Sequence, residues 1–180
     1  MDIDGEVFDA DGTGGTVAER IAGFSSPLTR MLLSSEGLTT TALWALTGAP
    51  PRIRVLGQGL LPAARAGRAV PALLAVGPGR QVLARRSALT GPDGRWLSVN
   101  QVVARDDQDP GIRAALTDGH RPLGPALQDA GTGHRRTLLD AGRRPWPSGR
   151  TACYKTYLLW HGDAPLALVH ELFHPAVVAP

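Results

Sequence analysis

ACYKTYLLWH (152–161), the turn GDAP (162–165) and LALVHELFHP (166–175) decide the fold, because two strand-like apolar runs on either side of a tight turn make an antiparallel hairpin. A competing motif sits inside the second run. HELFH at 170–174 matches HExxH, in which a helix sets two histidines one turn apart on zinc and the glutamate serves as general base. The context favours a strand: the run from Leu166 is bounded by the Gly-Asp turn before it and by Pro175 after it. The five residues after Pro175 contain no His, Asp, Glu or Cys to complete a site. In a strand, His170 and His174 stand about 13 Å apart, too far to share one ion. No metal is expected, and His161, His170 and His174 read as partly exposed strand residues.

Outward from this hairpin the same texture recurs. RQVLARRSAL (80–89) and RWLSVNQVVA (95–104) flank the turn GPDG (91–94) as a second hairpin. Further strands are expected at Ile53, Val55 and Leu56 and around Arg136 to Leu139. Ser26 before Pro27 reads as a cap and first turn of a helix through Leu33. Thr39 begins a second helix, with Leu43, Trp44 and Leu46, that stops at Gly48. Shorter helices are expected near Gly111 to Leu116 and from Pro122 to Gln128. Residues 58–79, rich in Gly, Pro and Ala, leave open a strand at Val70 to Val76 or a covering loop. Residues 1–23 are acidic and poor in large apolar groups, which predicts a mobile tail ahead of a domain at 24–180. No repeat of 20 to 50 residues occurs. Hairpins in succession, with helices at the front and middle, describe an α+β single domain: an antiparallel β-sheet covered by helices.

Composition narrows the partners. The 180 residues carry a net charge of +3, and Lys155 is the only lysine, so the cations are arginines, whose planar forks suit carboxylates and phosphates. The basic excess is small and spread along the chain, so no nucleic-acid partner is expected. Cys153 stands alone, which excludes an internal disulfide. With no apolar run near the ~20 residues of a membrane helix and no leader pattern at the N-terminus, a cytoplasmic protein with no membrane partner is expected. The oligomeric state is left open.

Three places could carry chemistry. Alternation puts Glu171 on one face with Ala167, Val169 and Phe173, where an apolar surround favours a proton-exchanging carboxyl; pairing with an arginine across a core gap is the structural alternative. Arg86 shares its face with Ala84 and Ala88, whose small size leaves room for a ligand. Arg85 points the other way, beside Leu83 and Leu89, and either arginine could lie on a solvated hairpin. RPLGPALQDAG (121–131) opens a short helix whose first amides could meet a carboxylate, with Gly124 allowing close approach.

In this order the features resemble the chorismate pyruvate-lyase (4-hydroxybenzoate synthase) family, over about Leu28 to Val178. The most specific part is the end, APLALVHELFHPAVV, which looks like the family's final hairpin and its motif of glutamate, leucine, phenylalanine, one variable residue and proline. The resemblance implies a chorismate lyase-like fold and a cofactor-independent carbon–oxygen lyase that turns chorismate into 4-hydroxybenzoate and pyruvate. It implies Glu171 and Arg86 as catalytic residues, with Arg86 and the Leu123 backbone amide holding the substrate carboxylate, Glu171 at the ring hydroxyl and Leu38 lining the pocket where the family has methionine. Asn100 stands near a position where the family often has arginine, and residues 58–79 fit it poorly. Two alternatives remain: a same-fold enzyme for another aromatic acid, and a ligand-sensing module like the effector domains of some transcription regulators. Such modules usually follow a winged-helix DNA-binding domain, for which residues 1–26 are too short and too acidic.

Overall fold

The computed structural model describes residues 5–9, 15–132 and 135–180. The terminal hairpin forms as its sequence predicts. β5 (Thr151–His161) and β6 (Ala164–Phe173) are joined at Gly162, whose φ of +57° suits glycine in a two-residue turn. β6 also pairs with β3 (Trp96–Arg105), β3 with β2 (Gln81–Thr90), and β2 with β1 (Arg52–Pro62), while β4 (Arg136–Pro145) closes the other edge against β5. All pairings are antiparallel, and the strand order is β1-β2-β3-β6-β5-β4.

The local helix signals hold. Ser26 caps α2 (Pro27–Ser34), accepting from the Thr29 amide at 3.2 Å, and Gly48 ends α3 (Thr39–Thr47) with φ +73°. Residues 58–79 resolve into a continuation of β1 to Pro62, then α4 (Ala63–Ala66) and α5 (Val70–Leu73). Two further helices, α6 (Pro110–Thr117) and α7 (Leu123–Asp129), connect β3 to β4. The stretch expected as a tail carries a 3-10 turn at Gly5–Phe8 with Val7 and Phe8 buried, and α1 (Val17–Ala22), capped reciprocally by Thr16 and Glu19. Residues 1–4 and 10–14 of that stretch lie outside the described residues. No helix among the described residues is long and apolar enough to cross a membrane.

Both sheet faces are covered. On one, Leu83, Val102, Val169 and Tyr157 pack under Ile112, Leu116 and Leu127 of α6 and α7, and Leu89 and Phe173 pack under Leu32, Leu33 and Leu43 of α2 and α3. On the other, Val82, Val103, Leu158 and Leu168 meet Val7, Phe8, Val70 and Leu74 from the 3-10 turn and α5. Double coverage explains why strands β3 and β5 are buried along almost their whole length rather than at alternate residues.

HELFH lies in β6 and its continuation, with its histidines held apart: Nδ1 of His170 bonds Thr156 Oγ1 at 2.8 Å, and His174 packs edge-on against Trp146. One expectation needs correction. His170 is 3% exposed rather than partly exposed, because the second face is also covered. Burial, with the nearby Arg144 guanidinium, pushes its imidazole down from 6.5 to about 3. The unfolded chain therefore takes up this proton first, and stability present above pH 6.5 is lost as pH falls toward 3, at roughly 1.4 kcal/mol per pH unit from this group. Denaturant unfolding at pH 7, 5 and 4 should show a steeper decline for the native chain than for His170→Gln; parallel declines would mean that His170 contributes nothing to acid sensitivity.

Candidate functional site

Cross-strand register lays two rows of side chains under α3 and α7. The first runs Arg85 (β2), Val102 (β3), Val169 (β6) and Tyr157 (β5); the second runs Ser87, Asn100, Glu171 and Lys155 on the same strands. Leu38, Thr39, Leu123, Gly124 and Arg136 close the space above them into a cavity of about 40 Å³.

The second row is built around a buried ion pair. Lys155, 1% exposed, holds its Nζ 3.8 Å from Glu171 Oε2 and donates to the carbonyls of Leu32 and Ser35 at the end of α2. Thr39, the first residue of α3, donates its hydroxyl to the same carboxylate oxygen at 2.6 Å, and Arg136 Nη1 donates to Glu36 O at 2.7 Å. The α2–α3 junction, with Leu38 in it, is thus fastened to the sheet by charges. Burial lowers the Lys155 pKa below the ordinary lysine range, with Glu171 opposing. For Tyr157, burial first and then the Glu171 charge push the phenol well above 10, against Arg136, so it stays protonated.

The first row ends in an unbalanced charge. Arg85 is 1% exposed, donates Nη1 to Leu116 O at 3.0 Å, and forms no ion pair among the described residues. Its Nη2 is buried without a hydrogen-bond partner, as is Asn100 Oδ1 across the cavity. Burial depresses the Arg85 pKa, while Asp118 supports the charge. Arg85 and Arg136 line the chamber together with Glu171, beside which Lys155 lies.

The structure brings together Glu171, Leu123 and Leu38 of the expected site, and it separates Arg86 from them. Arg86 does share its face with Ala84 and Ala88, as alternation predicts, but that face is turned away from the cavity, and Arg85 occupies the place expected of Arg86. The missed signal was neighbour size, since Leu83 and Leu89 beside Arg85 mark the face covered by α2, α3, α6 and α7. Arg136, Tyr157 and Lys155 were also missed; the one lysine inside an apolar strand was the available clue. Gly124 does permit close approach, though to Leu38, since a Cβ there would come within 2.8 Å of Leu38 Cδ2.

No family model and no curated protein matches this sequence. Solved structures do match. PhnF from Mycobacterium smegmatis superposes with a TM-score of 0.66 at 16% identity, over 81% of this chain and 67% of that one. The effector domain of the same protein gives 0.65 at 17%, over 79% and 91%. The ligand-binding domain of a GntR-family transcriptional regulator from Bordetella bronchiseptica gives 0.56 at 17%, over 69% and 85%. The fold is the chorismate lyase-like α+β fold in the form those ligand-binding domains take. The expectation of a chorismate pyruvate-lyase is corrected accordingly: the neighbours include effector and ligand-binding domains of transcriptional regulators, and Arg86, expected beside Glu171, lines a different cavity.

The ion pair generates a stability prediction. Lys155→Met strands Glu171 without its cation and should cost about 3–5 kcal/mol. Lys155→Met with Glu171→Leu removes both charges and should recover most of that loss, with a coupling of at least about 1 kcal/mol in a urea double-mutant cycle. Additive losses would show that the two charges do not depend on each other.

Proposed function

We propose that this domain is a ligand-sensing module for a small, flat organic acid of the aromatic carboxylate class, bound between the sheet and helices α3 and α7. The observation that carries this reading is Arg85, a buried guanidinium with one free amino group aimed into a chamber of net positive charge. An unpaired buried charge is costly, and a ligand carboxylate would remove that cost through two parallel hydrogen bonds. Tyr157, Val102, Val169 and Leu38 offer apolar surface to a ring, while Asn100 and Glu171 can meet polar substituents on its far side. The Leu123 amide, at the start of α7, is a further donor for the carboxylate.

The chamber of about 40 Å³ is far below the ~300–1,000 Å³ of usual ligand pockets. Entry therefore requires the Leu38–Gly124 contact between the α2–α3 junction and α7 to part. A ligand that binds only the parted form shifts the domain toward it by its differential affinity, which is the physical content of sensing.

Arg85→Ala should weaken binding of 4-hydroxybenzoate at least about thirtyfold, corresponding to a loss of roughly 2–5 kcal/mol for one truncated partner of a desolvated charge pair. Arg86→Ala should change it only a few-fold. Calorimetry on both variants, after confirming that each is folded, makes the comparison, and an equal or larger loss at Arg86 would return the carboxylate to the other face of β2.

A further inference from the structure

Arg86 and His170, both singled out from the sequence and both outside the first chamber, belong to one line of polar residues on the opposite sheet face. The register pairs Arg86 on β2 with Gln101 on β3, Gln101 with His170 on β6, His170 with Thr156 on β5, and Thr156 with Asp140 on β4. Gln101, His170, Thr156 and Asp140 are all buried. A polar line across the middle of a sheet costs desolvation and is not what packing alone selects, least of all beside the apolar Val103 and Leu168 on the same face.

A cavity of about 480 Å³ lies over the Arg86 end of this line, with Arg86, Gln101, His170 and Arg144 around it and Val99 and Leu172 as apolar wall. Arg86 Nε is buried and has no hydrogen-bond partner. Neither Arg86 nor Arg144 forms an ion pair among the described residues. Asp140, the carboxylate at the far end of the line, is already engaged by Arg20 at 2.7 Å and by the Tyr154 hydroxyl at 2.8 Å. Arg144 is held in place by stacking: its guanidinium sits 5.1 Å from the Tyr154 ring centre, and that ring lies 5.1 Å from His170. His170, neutral and tethered through Nδ1 to Thr156, contributes hydrogen-bonding capacity without charge.

We infer that this second cavity is an oxyanion site, taking the phosphate or carboxylate group of a small molecule between Arg86 and Arg144 with Gln101 and His170 on its floor. Guanidinium forks pair with either group in the same bidentate geometry, and the apolar wall would carry the rest of the molecule. The inference is independent of the ligand proposed for the Arg85 chamber.

Asn100 and Gln101 are adjacent in sequence and line opposite cavities, so their side-chain amide signals report the two sites separately. Titrating the ¹⁵N-labelled chain with inorganic phosphate, and in a second series with acetate, should move the Gln101 side-chain signal whether or not that of Asn100, which reports the carboxylate chamber, moves as well; the anion that binds tighter at Gln101 identifies the group preferred. Arg86→Gln and Arg144→Gln should each weaken that binding at least about tenfold. Thermal unfolding confirms that each variant is folded, and either variant alone suffices if the other is not. Movement of Asn100 instead of Gln101, no movement with either anion, or unchanged affinity in the folded variants overturns the site.

Discussion

Two opposite charges, Lys155 on β5 and Glu171 on β6, sit side by side in the terminal hairpin and are covered by the turn between α2 and α3. Neither can be solvated there, so each must find its partners within the protein. They find them in backbone and hydroxyl groups of that turn: the carbonyls of Leu32 and Ser35 for the lysine and the Thr39 hydroxyl for the carboxylate. The pair thereby fixes where α3 begins, where Leu38 points and how closely α7 can approach at Gly124. The roof of the first chamber is a consequence of how these charges are satisfied.

The period of two along each strand does the remaining sorting. Because both faces of the sheet are covered over much of their area, neighbouring residues enter different environments on its two sides. Arg85 and Arg86, Asn100 and Gln101, and His170 and Glu171 are three such pairs, each split between the Arg85 chamber and the Arg86 cavity. A sheet with one wet face would have one site and one solvated row. This one has two polar interiors separated by the thickness of a strand.

The fold does not choose between chemistry and sensing, since one architecture hosts unrelated functions and the site decides. Here the site supplies a buried cation, an acceptor amide oxygen, a protonated phenol and apolar walls, all suited to holding an organic anion. The Glu171 carboxylate is itself engaged by Lys155 and the Thr39 hydroxyl.

Most of the architecture was legible in the chain alone. The hairpins at 80–104 and 152–173, the Ser26–Pro27 helix start, the Gly48 stop and the strand reading of HELFH follow from turn chemistry, caps and periodicity, which act over a few residues. Glu171, Leu123 and Leu38, which the resemblance names together, line one cavity in the structure. The sequence did not reveal the folded parts of the first 23 residues, whose order comes from contacts such as Phe8 against the far face of the sheet. Nor did it tell Arg85 from Arg86. Alternation shows that two neighbours face opposite ways, but which face is roofed by α3 and α7 depends on packing between segments more than thirty residues apart, and that only the tertiary structure decides.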